Sequence, residues 1–177
     1  MQLYAVWKQT LVTVNVIGGN QIINVLGSGQ YTPGQVISVT GYKIGVGEGS
    51  ISINITVPEQ DCTVVLETLY EEGKYYTNDG GETNGGTSGT NYINMSYACP
   101  SSGYYLVKMS GMKNTQSDTY VSFGENIIAT GQDAELSSNY CYANTGTTIS
   151  IGWRGAATTY GISGTLYMSV IGASISY

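Results

Sequence analysis

Apolar and polar residues alternate along most of this chain with a period of two, the spacing at which one face of a β-strand is dry and the other wet. The cleanest run is residues 50–57, where Ile51, Ile53, Ile55 and Val57 alternate with Ser52, Asn54 and Thr56. Residues 11–17 set Val12, Val14 and Val16 against Thr13 and Asn15. Residues 147–153 align Ile149, Ile151 and Trp153, and residues 165–171 align Leu166, Met168 and Val170. Less regular runs at 21–26, 35–42, 63–70, 92–98, 104–110, 119–123 and 126–130 read the same way. Turn-forming clusters separate them, among them Gly18-Gly19-Asn20, Thr32-Pro33-Gly34, Gly47-Glu48-Gly49, Pro100-Ser101-Ser102-Gly103 and Asn144-Thr145-Gly146. The intervals are too short for helical crossovers. The pattern predicts an all-β fold: a single antiparallel β-sandwich, jelly-roll-like, of about eight to ten strands.

Two stretches break the rhythm. Residues 73–91 are rich in Gly, Asn and Thr and too polar to bury, which predicts a long surface loop. Residues 131–145 carry Asp133 and Glu135 and predict an irregular stretch with a short helical turn.

Composition sharpens the picture. A chain of 177 residues suits one domain, spanning 1–177, with a core that needs no metal or disulfide framework. Charged residues make up 10% of it, where about 25% is usual. Its exterior must therefore be covered by neutral polar groups: Gly, Ser, Thr, Asn and Tyr. Six Lys plus Arg against twelve Asp plus Glu give a net charge of −6. Nucleic acid is excluded as a partner, because phosphate binding needs a cluster of cations. The same balance disfavours an anionic membrane surface, and no apolar run approaches the roughly 18 residues that would predict membrane insertion. There is no His, so His-activated nucleophiles, His metal ligands and His pH switches are all excluded.

Candidate chemistry is sparse. Cys62, Cys99 and Cys141 are too far apart for a redox or zinc motif, leaving either three buried thiols or one bridge such as Cys62 to Cys99. Glu67, Glu71 and Glu72 are the nearest thing to a glycosidase carboxylate pair, and a solvated strand end accounts for them as simply. In the 73–91 segment Asp79 and Glu82, with Asn78 and Asn84, offer the oxygen ligands calcium takes. They lack the acidic alternation of an EF-hand, so a polar loop without cofactor is the preferred reading. Sequons at Asn54 and Asn94 fall on the polar phase of strands, where a glycan could sit on an outer face.

The sixteen tyrosines against one phenylalanine are the strongest signal. A tyrosine buries a ring but must wet or pair its hydroxyl, so it belongs at rims and interfaces, and with Ser, Gly and Asn it forms the vocabulary of binding surfaces. Tyr75 and Tyr76, Tyr104 and Tyr105, Tyr140 and Tyr142, together with Trp153 and Trp7, are the candidates for subunit contact or glycan stacking. Neighbouring strand residues face opposite ways, so one of Tyr104 and Tyr105 should point inward. The runs at 11–17 and 166–171 are long, uncharged and terminal, and read as open sheet edges that other subunits would cover. These features point to a non-enzymatic structural subunit of a virion (shell, vertex, spike or fibre) or of an extracellular filament. Its partners would be copies of itself and other structural subunits. The alternative is a carbohydrate-binding module or adhesin, with glycans as partners. The start, residues 1–8, lacks the regions of a secretory signal. An exterior-type composition made without export suits a virion; a mature segment carrying an added Met would look the same.

Overall fold

The computed structural model describes residues 10–76, 94–111, 118–131, 136–137, 141–154 and 164–177. Among them every regular element is a strand, fourteen in all. The largest sheet is built on β6 (Cys62–Tyr76), β8 (Gly103–Gly111) and β14 (Gly164–Ser176), with β14 in the middle. On one side β6 continues to β1 (Val12–Gly18) and β3 (Gly29–Tyr31); on the other, β11 (Leu136–Ser137) and β12 (Cys141–Ala143) pair with opposite ends of β8. A second sheet has the order β2 (Ile22–Leu26), β4 (Val36–Lys43), β5 (Gly49–Thr56). A third runs β10 (Asn126–Gly131), β9 (Asp118–Phe123), β13 (Thr148–Arg154), β7 (Asn94–Ala98).

The two smaller sheets cover opposite faces of the large one. On β8, Tyr105, Val107 and Met109 enter the core shared with the four-stranded sheet, while Leu106 between them enters the core shared with the three-stranded sheet. β14 does the same: Leu166, Met168 and Val170 face one way, Ile171 and Ala173 the other. Consecutive strand residues point to opposite faces, so two dry interfaces share one central sheet. A bulge reconciles β6 with this arrangement. Tyr70 pairs with Val170 and Thr68 with Ile171, leaving Leu69 unopposed. Cys62, Val64 and Leu66 consequently serve the three-stranded side, whereas Tyr70 packs on the four-stranded side.

The all-β sandwich class is as the alternation predicts, and the predicted strands all lie within or overlap observed ones. Four features differ. Three short strands, β3, β11 and β12, carry too few residues to show a period. The β1–β6 pairing is parallel, Val14 with Cys62 through Gly18 with Leu66, an exception in an otherwise antiparallel set. The runs read as open terminal edges are interior: β14 lies between β6 and β8, and β1 between β6 and β3. Finally, β6 runs on to Tyr76 opposite β14, so residues 73–76 are paired strand; residues 77–91 of the expected loop lie outside the described residues.

The cysteines are free. Cys62 belongs to one core and Cys99 to the other, on opposite faces of the central sheet, which rules out a bridge between them. Burial pushes all three thiols above their ordinary range, with Asp61 adding to the effect at Cys62. Thiols held protonated are poor nucleophiles.

Candidate functional site

Three places in the described structure carry polar or aromatic groups beyond what packing requires. The first is buried. Lys43 ends the inward row Ile37, Val39, Gly41 of β4, and its side chain is fully covered. Its ammonium donates to Glu71 Oε2 at 2.8 Å, Val46 O at 2.6 Å, Gln21 Oε1 at 3.2 Å and Ile44 O at 3.4 Å. Ser169 Oγ reaches the same Glu71 oxygen at 3.4 Å. The cation thus ties the β4–β5 hairpin to β6 and β14.

The second is the outer face of the three-stranded sheet. Its outward positions are Ile23 and Leu26 on β2, Val36, Ser38, Thr40 and Tyr42 on β4, and Ser50, Ser52, Asn54 and Thr56 on β5. None is ionised. A bulge at Asn24, whose φ is 53°, turns Val25 toward the core and Leu26 outward opposite Thr40. Leu26 is 70% exposed and Val36 60%. Ser38 and Ser52 hydroxyls pair at 2.6 Å, fixing the polar half of this face.

The third is a notch of about 610 Å³ where β14 outruns β8. The β8 pairing ends at Ala173 with Tyr104, yet β14 continues along β6 through Ser174, Ile175 and Ser176. The notch is lined by Glu67 and Leu69 from β6, the turn Pro100–Gly103, Tyr104, Tyr105, Tyr142 and the end of β14 to Tyr177. Its walls are pinned. Tyr105 donates its hydroxyl to Ser101 O at 2.6 Å, and Thr145 N donates to Ser102 Oγ at 3.0 Å. Tyr104 accepts from Thr56 N at 3.3 Å and meets Tyr142 edge-on, with ring centroids 5.3 Å apart. Gly172 keeps the floor flat, since a Cβ there would lie 2.5 Å from Leu69 Cδ1.

The tyrosines singled out from sequence divide accordingly. Tyr104 and Tyr142 come together at the notch. Tyr105 is the inward member of its pair, at 3% exposure, and offers no stacking face. Tyr75 and Tyr76 sit at the far end of β6, about 25 Å along the strand from Glu67, and do not join them. Trp153 lies in β13 opposite Thr119, with its side chain outside the described set, as is that of Asn94 at the start of β7. Tyr140, Trp7, Asp79 and Glu82 lie outside the described residues. Asn54 stands on the outer face of the three-stranded sheet, as its phase predicts.

The three acids do not converge. Glu71 is bound to Lys43, and Glu72 accepts a hydrogen bond from Tyr70. Glu67 is five residues from Glu72 along one strand, roughly 16 Å, beyond the spacing of a glycosidase pair. Burial, the Glu72 hydrogen bond and the Glu72 charge together push the Tyr70 phenol up to about 12. Among the described residues no three acidic or thiol groups gather as a metal site would require. Sequence reading missed Tyr177, the exposed Leu26 and Val36, and the inward Lys43. The last was legible, since the parity of Ile37 and Val39 reaches residue 43.

No family model matches the sequence, and no curated protein is similar to it. Among solved structures, the chain is similar to the native structure of a family 35 carbohydrate binding module from Clostridium thermocellum, at 15% identity and a TM-score of 0.32, covering 60% of this chain and 90% of that one.

Proposed function

We propose that this protein is a non-enzymatic structural subunit acting through subunit contacts, and that the outer face of the β2–β4–β5 sheet is the surface it uses. One observation supports the reading above others: Leu26, Val36, Ile23 and Tyr42 stand 70%, 60%, 44% and 36% exposed on a sheet face with no ionised side chain. Ile23, Tyr42 and Leu26 gather toward one end of this face and Val36 stands at the other; exposed apolar groups on an uncharged face are what interaction surfaces present. The hydroxyls and amide between the apolar groups can pair across an interface without the cost of desolvating charge. A second copy suits this face, because it is free of the charges that would make a chain of net charge −6 repel itself. A virion or an extracellular filament is the setting such a sparsely charged subunit fits. The glycan reading of the tyrosines concerns a different surface, the notch, and is compatible with assembly through the sheet.

Light scattering coupled to size exclusion, over a rising concentration series, tests the reading. The wild-type chain should self-associate, and Leu26→Lys with Val36→Lys should hold it monomeric at an unchanged melting temperature. A wild-type chain that stays monomeric at millimolar concentration, or a double variant that associates as before, overturns it.

A further inference from the structure

We propose that the notch beside the overhang of β14 is a binding site for a neutral carbohydrate, with the Tyr142 ring as its stacking surface. The inference stands apart from assembly, since of the outward residues of the three-stranded sheet the notch uses only the backbone amide of Thr56, which holds Tyr104.

The lining carries it. Tyr142 is 56% exposed although its ring is held edge-on by Tyr104, which is itself fixed by Thr56. An aromatic surface that is both rigid and wet suits the apolar face of a sugar ring, and it loses little side-chain entropy on binding. Tyr177, 75% exposed, stands at the other side of the opening. Sugar hydroxyls need many directional donors and acceptors. Ser101, Ser102 and Ser174 supply hydroxyls, and Glu67 supplies a carboxylate acceptor. The backbone adds more: past Ala173 the edge of β14 that faced β8 has no strand partner among the described residues. Its amide and carbonyl groups open toward the notch.

Size and charge select the ligand. A volume of about 610 Å³ lies within the range of small-molecule sites. The open edge spans three residues, Ser174 to Ser176, about 10 Å, which is too short to seat a peptide strand of the usual five or six residues. The Glu67 carboxylate and the net charge of −6 oppose anionic sugars, so the ligand is neutral.

The test is a glycan array of immobilised neutral and sialylated oligosaccharides, followed by calorimetric titration of the strongest neutral hit. The wild-type chain should bind neutral glycans in preference to sialylated ones. Tyr142→Ala should weaken that binding by about tenfold or more, the scale of one lost stacking contact with its buried area. Tyr142→Phe should keep it within about threefold, because the ring remains, and Glu67→Gln should weaken it while preserving the melting temperature. Tyr142 is exposed, so its variants fold, and unchanged thermal unfolding verifies this. Absence of any neutral hit, preference for sialylated glycans, or binding indifferent to Tyr142→Ala overturns the proposal.

Discussion

Replacing Lys43 by Met removes one charge from a fully covered position while keeping the length of the side chain. Four acceptors lose their donor: the Glu71 carboxylate, Gln21 Oε1 and the carbonyls of Val46 and Ile44, at 2.6 to 3.4 Å. Removing one partner of a buried pair costs about 3–5 kcal/mol, chiefly by stranding the other. Glu71 retains 26% side-chain exposure and can rehydrate in part, which places the expected loss at the low end, about 3 kcal/mol. For a chain of this size that loss corresponds to a fall in melting temperature of roughly 6–12 °C. Urea unfolding followed by far-ultraviolet circular dichroism measures it directly. Pairing Lys43→Met with Glu71→Met should recover part of the deficit, because no carboxylate is then left without its cation. A single Lys43→Met variant within about 0.5 kcal/mol of wild type, the range of ordinary surface changes, would refute this role of Lys43.

Three further outcomes are expected. The Thr68 hydroxyl is buried with no hydrogen-bond partner among the described residues, so Thr68→Val should raise stability by about 1 kcal/mol in the same urea assay. Tyr70 holds its proton to about pH 12 in the fold and to about 10 when unfolded. Its contribution is full below pH 10 and is lost as pH rises through 12, so the stability of Tyr70→Phe should fall less steeply than wild type across that window in alkaline unfolding. Gly34 and Gly111 both have positive φ, 81° and 101°, yet a Cβ at Gly34 meets open space while one at Gly111 would lie 2.2 Å from Thr165 O. Gly34→Ala should cost about 1–2 kcal/mol by calorimetry, and Gly111→Ala distinctly more.

Which faces are dry was legible from alternation alone: Ile51, Ile53 and Ile55 point inward as their spacing demands, and Ser52 and Asn54 outward. Which strands meet was not. Ser169 and Glu71 are 98 residues apart, and nothing local to residues 164–176 announces that this run threads between β6 and β8. The mistaken terminal edges follow from that gap, because whether a strand is an edge depends on distant partners rather than on its own composition. The bulge at Leu69 was hidden for a related reason: it changes phase within Val64-Val65-Leu66-Glu67-Thr68-Leu69, where apolar and polar residues do not alternate and the pattern commits to neither face. The notch was legible in part. Tyr104 and Tyr142 each stood out, in the separate clusters Tyr104–Tyr105 and Tyr140–Tyr142, but their meeting and the opening beside them depend on strand pairing and on one strand being longer than its neighbour.

Assembly through the uncharged sheet is tested most directly by amide hydrogen exchange as a function of protein concentration. With rising concentration, protection should grow in residues 22–26, 36–43 and 49–56, and stay constant along β1 and β14. Protection that does not change with concentration, or that grows on another surface and leaves these strands untouched, would contradict the account.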